Sequence, residues 1–184
     1  MPRRTVPMPA ESGEVLLEIW AANERMNRLI LEQLDPRAWR ARPPGPAGRP
    51  IAAIFAHVHN VRRKWLRLSA PHLRLPGELH RTTVTQKQAK AGLAASGQRC
   101  AAMLADALTS GAARVKTFRR DGWGRAWPAG ATMAAYMLAH EAHHRGQVLM
   151  LASQLGYPLR DQAGYQIWNW DKLWKQCGFG SGPR

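Results

Sequence analysis

The sequence is poor in cysteine and has no long apolar run. Its two cysteines, Cys100 and Cys177, are too few for the disulfide framework of a small secreted domain. No segment approaches the roughly 18 consecutive apolar residues that a membrane-spanning helix needs. The basic start is followed by proline and acidic residues, not by the apolar core of a signal peptide. We therefore expect a cytoplasmic protein without membrane association.

Acidic residues are also few. The 184 residues include 12 Asp and Glu against 27 Lys and Arg, a formal net charge of +15. The excess lies after residue 35, because residues 1–35 carry six acids and four arginines. Such a surface attracts nucleic acid, anionic metabolites or an anionic cofactor. The alternative explanation of the positive charge is nucleotide bias in the genome. It is favoured by the abundance of arginine and alanine and by the lack of a nucleic-acid-binding motif.

Strand signals are scarce, whereas apolar residues recur at helical spacing in four long segments. The helices are predicted over about residues 13–34, 51–68, 85–108 and 131–155. Proline-rich and glycine-rich loops separate the first three, and residues 111–130 form a loop or a short hairpin. A shorter, aromatic-rich helix is expected within residues 161–178. The pattern predicts an all-α four-helix bundle with long crossover connections, in a single domain of residues 1–184 whose residues 1–12 form a loose arm.

Two histidines one turn apart give the strongest signal for chemistry. His140 and His144 share a face of the fourth helix, where both imidazoles can bind one metal ion. In the second helix His57 lies on the apolar face, whereas His59 lies about 200° away and is expected to face elsewhere. With His57 the pair forms a three-imidazole set that leaves open metal positions, as catalytic sites do. A single inward histidine is more often a hydrogen-bonded core residue, but three buried imidazoles without a metal would leave several nitrogens unpartnered.

The same segment matches the H-E-x-x-H pattern of zinc proteases, with Glu141 as the general base. Those enzymes need a third ligand further along the chain, yet no His or Glu follows His144. The protease interpretation is therefore the less favoured one. His143 lies about 60° from His140 around the helix and suits a contact with the surroundings of the metal, a substrate or a partner helix.

The segment Phe55-Ala56-His57-Val58, followed by H-x-x-x-H-R-G-Q at residues 140–147, resembles the DinB family of metal-dependent helical proteins. The resemblance runs from the first helix to the closing aromatic residues. The other residues that share in it are Asn23, Asn27, Tyr165, Trp168, Trp170, Gly178 and Phe179. It implies a divalent metal, Zn or Ni, held by His57, His140 and His144. It also implies a low-molecular-weight thiol such as bacillithiol or mycothiol, a small-molecule electrophile as substrate, and pairing of two copies as a homodimer. The strongly basic surface departs from the family's usual pattern and leaves the substrate class open.

Several other residues are assigned from the sequence to the cavity or to the surroundings of the ligands. They are Asn23, Asn27, Glu141, His143 and Trp168. Core packing is the favoured alternative for the C-terminal tryptophans, and a solvated surface is an equal alternative for the two asparagines. The basic residues of the second helix are expected to point mostly outward: Arg62, Arg63, Lys64 and Arg67.

Two functions remain open from the sequence. The first is an enzyme in which the metal activates a low-molecular-weight thiol, as an S-transferase does, or water, against a small electrophile. The second is a non-catalytic binding module in which the metal is structural and the basic face engages nucleic acid or an acidic partner.

Overall fold

The structure is a computed structural model that describes residues 10–43, 48–109, 114–122, 125–159 and 166–178. Its helices are α1 (Ala10–Gln33), α2 (Ile51–Ser69), α3 (Gln86–Leu108), α4 (Ala131–Gln154) and α5 (Trp170–Gln176). Two short strands, β1 (Thr117–Phe118) and β2 (Trp127–Pro128), pair antiparallel with Thr117 opposite Pro128. The described chain is thus mostly helical, as predicted, and residues 111–130 contain the hairpin. No helix in these ranges is long and apolar enough to cross a membrane.

The helix ends follow from local sequence. Thr85 caps α3: its hydroxyl accepts from the Gln88 backbone N–H, and the Gln88 side chain accepts from the Thr85 backbone N–H. At the end of α4, Gly156 has a φ of 79°, a conformation that favours glycine. The backbone N–H groups of Gly156 and Tyr157 then close the helix by donating to the carbonyls of Ser153 and Ala152.

The N-terminal helix is longer than predicted. α1 begins at Ala10, inside the expected arm of residues 1–12, and residues 1–9 lie outside the described residues. Tyr165, Phe179 and the side chain of Trp174, which belong to the predicted aromatic C-terminus, also lie outside them.

The helices pack so that α1 and α2 each contact both α3 and α4, and α5 contacts α1. Two clusters of buried apolar side chains fill the interior. One contains Ile30, Ile54, Leu93 and Val148, and the other contains Trp20, Trp65, Met103 and Met137.

Buried polar residues lie between these two clusters along each long helix. They are Asn23 and Asn27 on α1, His59 and Arg62 on α2, Ser96 on α3, and Glu141 and His144 on α4. Each helix therefore contributes polar groups at one level of the interior, and this polar layer is where the predicted metal ligands lie.

Two expectations about exposure are wrong. Arg62, expected to point outward, is fully buried, because carboxylates from two other helices receive its guanidinium. Trp168 and Trp170, for which core packing was favoured, are 72% and 42% exposed and line a surface cavity.

Candidate metal centre

His57 of α2 and His140 and His144 of α4 converge in the polar layer. One ring nitrogen from each lies within 4.8 Å of the other two. The ring centroids are 5.5 Å apart for His57 and His140, 4.7 Å for His57 and His144, and 4.6 Å for His140 and His144. The one-turn spacing on α4 and the inward face of α2 produce this convergence. The three histidines are positioned to hold a metal ion.

Hydrogen bonding fixes the ring of His144. Its Nδ1 lies 2.8 Å from Oε1 of Gln147, an oxygen that only accepts, so Nδ1 carries the proton and Nε2 keeps its lone pair. Gln147 in turn donates from Nε2 to Nε2 of the exposed His143 at 3.0 Å. Metal-binding histidines are characteristically oriented by a partner on the second nitrogen. The sequence assigned no role to Gln147, although its position three residues after His144 places it within reach.

The ring of His140 fits a metal site for another reason. Its Nδ1 is buried and has no hydrogen-bond partner among the described residues, an arrangement that costs free energy unless something binds the nitrogen. The ring packs edge-on against Trp65, with centroids 5.3 Å apart, and lies 6.4 Å from the ring of Tyr136. The chemistry of this donor set, three imidazoles that include a buried nitrogen without a partner, therefore suits a bound divalent cation.

The three imidazoles are neutral at neutral pH. Burial, with a further contribution from His144, lowers the pKa of His57 to about 4. Burial and the neighbouring histidines lower the pKa of His140 to about 4, and burial lowers the pKa of His144. More distant cations act in the same direction on the pKa of His57, namely Arg49, Arg81 and Lys64. Neutral rings present the lone pairs that a metal requires.

A buried ion network lies beside the histidines. Arg62 donates from Nε to Oε1 of Glu141 at 2.6 Å and from Nη2 to Oε2 at 2.7 Å. Its Nη2 also donates to Glu24 of α1. The amides of Asn23 and Asn27 donate to Oε2 of Glu141 at 2.6 and 2.7 Å. The network joins α1, α2 and α4 at the level of the candidate metal centre.

This network decides the role of Glu141. Its carboxylate accepts four hydrogen bonds, and although burial opposes ionisation, the charge of Arg62 and the donors around it lower its pKa. A carboxylate held in this way is not available as the general base that the protease pattern requires. The protease interpretation of residues 140–144 is therefore contradicted by the position of Glu141.

The other sequence-predicted residues are placed as follows. Asn23 and Asn27 are buried and hold Glu141. His143 is exposed, its ring lies edge-on to that of His144 with centroids 5.1 Å apart, and it also accepts a hydrogen bond from Gln147. Trp168 lines a cavity with residues on another face of α4.

His59 faces away from the cluster, as expected. Its Nε2 lies 2.7 Å from the Gly77 carbonyl and its Nδ1 3.1 Å from the Ser96 hydroxyl. It is a core histidine whose ring nitrogens both have partners.

Sequence reasoning missed Arg62. A signal was present, since Arg62 follows Val58 by one turn and precedes Leu66 by one turn, on the stripe that faces the core. The outward orientation was predicted from the charge of Arg62, although its position on the helix indicates the core.

Comparison with known proteins supplies the family. No similar protein was found among curated proteins or among solved structures. A family model described as the DinB family matches residues 4–169, which include α1 to α4 and all three histidines of the candidate metal centre. The match covers nearly the whole chain, and the chain belongs to the DinB family.

Proposed function

We propose that His57, His140 and His144 bind a divalent metal ion, Zn or Ni, and that the protein is an enzyme acting on a small electrophilic substrate. The observation that carries the proposal is the convergence of three neutral imidazoles from two helices. Imidazole is a good ligand for both metals. Three protein ligands leave coordination positions open, as catalytic centres do and closed structural centres do not.

The chemistry would be activation of a nucleophile. A bound divalent cation lowers the pKa of a thiol or of water, so that the anion forms near neutral pH. The chain's own residues orient the ligands: Gln147 holds the ring of His144, and Trp65 and Tyr136 pack against His140. We favour a low-molecular-weight thiol as the nucleophile, with water as the variant.

Charge supports an anionic reactant. The three ligands are neutral, and the nearest carboxylate on α4, Glu141, is neutralised by Arg62. Arg49 and Arg81 are exposed on the side of His57 and add positive potential there. A thiol cofactor or an electrophile that carries a carboxylate would be attracted by this field.

The proposal treats the four long helices as one bundle domain with crossover connections, in a cytoplasmic protein. It is supported by the packing of α1 and α2 against both α3 and α4. The connection of residues 34–50 between α1 and α2 is long enough for a crossover. Homodimer formation stays a prediction.

Metal analysis tests the proposal directly. Protein purified without a metal-binding tag is expected to hold about one equivalent of metal, and His57→Ala, His140→Ala and His144→Ala are each expected to lose it. The exposed His80 provides the control, since His80→Ala should retain the metal. Metal-free wild-type protein that does not take up Zn or Ni on titration would refute the site.

Activity is tested separately. Wild-type and His144→Ala proteins are incubated with an activated aryl halide, with and without bacillithiol or mycothiol, and products are identified by mass spectrometry. Thiol adducts formed only by the metal-loaded wild type support thiol transfer, and hydrolysis products formed without thiol support the water variant. If neither product forms, the enzymatic part of the proposal is refuted for this class of electrophile, and the proposed metal site is unaffected.

A further inference from the structure

The surface cavity lined by Trp168 and Trp170 has a volume of about 460 Å³ and lies between α1, α4 and the residues that lead into α5. Its wall is mainly apolar, and its larger side chains are Ile19, Met26, Leu138, Leu149, Ile167 and Trp168. The volume lies within the roughly 300–1,000 Å³ of small-molecule sites. Trp168 is 72% exposed, so a large aromatic surface at the cavity has no covering group within the described residues.

This cavity is separate from the candidate metal centre. None of the three converging histidines lines it. On α4 the cavity residues Ala142 and Leu149 lie about 200° and 180° around the helix from His140. The metal centre and the cavity therefore lie on opposite faces of α4.

A cation lies at the polar end of the cavity. Arg145 lines the wall, and its Nη1 donates to Oδ1 of Asn23 and to Oδ1 of Asn27. Both amides donate their N–H groups to Glu141, so their oxygens are turned toward Arg145. The guanidinium is thereby held in place by two neutral oxygens.

Arg145 has no carboxylate partner among the described residues. Only its Nη1 makes hydrogen bonds there, which leaves Nε and Nη2 able to donate to a ligand. The Arg145 side chain is partly buried, so its charge is incompletely solvated and would be stabilised by an anion. Arginine recognises carboxylate and sulfonate groups through paired N–H donors.

We propose that this cavity binds a small amphipathic anion, an organic acid with an apolar aliphatic or aromatic body. The body packs against Met26, Leu149 and Trp168, and the acid group accepts hydrogen bonds from Arg145. The site is independent of the metal and of the reaction proposed above.

Binding of a fluorescent aromatic anion tests the proposal. Anilinonaphthalene sulfonate is titrated into metal-loaded protein and then displaced by decanoate or by decanol. Decanoate is expected to displace the probe at about tenfold lower concentration than decanol, although decanol is the more apolar, because a hydrogen bond to a charged group adds that much affinity. Equal displacement by the two competitors would overturn the role assigned to Arg145.

Variants locate the probe. Ala142→Phe fills the cavity from α4 and is expected to abolish binding, while Ala95→Phe on the exposed face of α3 controls for the added ring and should bind normally. His144→Ala should also bind normally. Loss of binding in His144→Ala would place the probe at the metal centre and refute the second site.

Arg145→Gln tests the contact between Arg145 and the acid group of the ligand. If loss of Arg145 unfolds the protein, Ala142→Phe still tests the site. Folded Arg145→Gln should bind decanoate about tenfold more weakly than wild type and decanol equally well.

Sedimentation addresses the alternative occupant, a second copy of the chain. If the wild type is a dimer that Ala142→Phe converts to monomer, this face is a subunit interface and the proposal fails.

Discussion

Arg62 and Glu141 form a two-pronged ion pair, at 2.6 and 2.7 Å, although both side chains are fully removed from solvent. The pair joins α2 to α4 beside His57 and His140, two of the three candidate ligands. Such a pair costs desolvation energy, so its presence does not by itself add stability. Its geometric effect is to fix the position of α4 against α2, and with it the separation of the histidines.

Removing one partner of this network is expected to be strongly destabilising. Arg62→Met removes the ion-pair partner of the fully buried Glu141 and of the partly buried Glu24, which should lower the free energy of unfolding by about 3–5 kcal/mol. Arg62→Lys keeps the charge but not the paired donors, so its effect should be smaller. Urea unfolding of the metal-free protein measures both.

The exposed ion pair of Arg67 with Asp121 supplies the control for this prediction. Arg67→Met should change the free energy of unfolding by less than about 1 kcal/mol. Similar effects of Arg62→Met and Arg67→Met would show that the buried network contributes no more than a surface pair.

A pair of glycine substitutions tests the packing around Glu24. A Cβ at Gly97 of α3 would lie 1.7 Å from Oε2 of Glu24, a side chain that Arg62 holds in place. Gly97→Ala should therefore destabilise the protein, despite the helix propensity that alanine adds. At Gly146 of α4 a Cβ meets nothing within 4 Å, and Gly146→Ala should stabilise by up to about 1 kcal/mol.

Thermal or urea unfolding of these two variants gives the comparison. Opposite signs of the stability change are expected from the same substitution in two helices. A stabilising Gly97→Ala would mean that Glu24 moves aside at little cost and that its contact with Arg62 is dispensable.

The parts of this structure that depend on local sequence could be predicted. The cap at Thr85 requires only the residue three positions later, and the pairing of His140 with His144 requires only the helical period. The inward orientation of His57 followed from the apolar stripe on its own helix.

The buried network and the cavity at Trp168 could not be predicted in the same way. Arg62 is buried because Glu24 and Glu141 reach it from two other helices, and the position of those helices is a tertiary property. Trp168 lines a cavity because of how the residues before α5 lie on α1 and α4. No periodicity within a single segment carries that information.

Gln147 is predicted to raise metal affinity by holding His144. Gln147→Ala removes the acceptor on Nδ1 and should weaken metal binding by about 10–100-fold, while Gln147→Glu keeps an acceptor and should bind at least as tightly as Gln147→Ala. Competition with a chromophoric chelator measures the affinities. Gln154→Ala, an exposed position on the same helix, is the control, and equal affinity of Gln147→Ala and Gln154→Ala would contradict the orienting role.

The stability of the metal-free protein is predicted to fall with decreasing pH. The pKa values of His57 and His140 are about 4 in the folded protein, lowered from 6.5 chiefly by burial. Between about pH 6.5 and pH 4 the unfolded chain therefore binds protons that the folded chain does not, and unfolding becomes easier as the pH decreases. Above pH 6.5 these two groups contribute no pH dependence.

Urea unfolding in the presence of a chelator, repeated from pH 7.5 to pH 4.5, measures this dependence. His57→Gln removes one of the two groups, so its stability should fall less steeply over that window than the wild type's, whereas His80→Gln, at an exposed position outside the cluster, should follow the wild type. Parallel curves for His57→Gln and wild type would show that burial of His57 does not oppose its protonation. In that case the imidazole would not be held neutral before a metal binds, and metal binding near pH 6 would have to displace a proton from it.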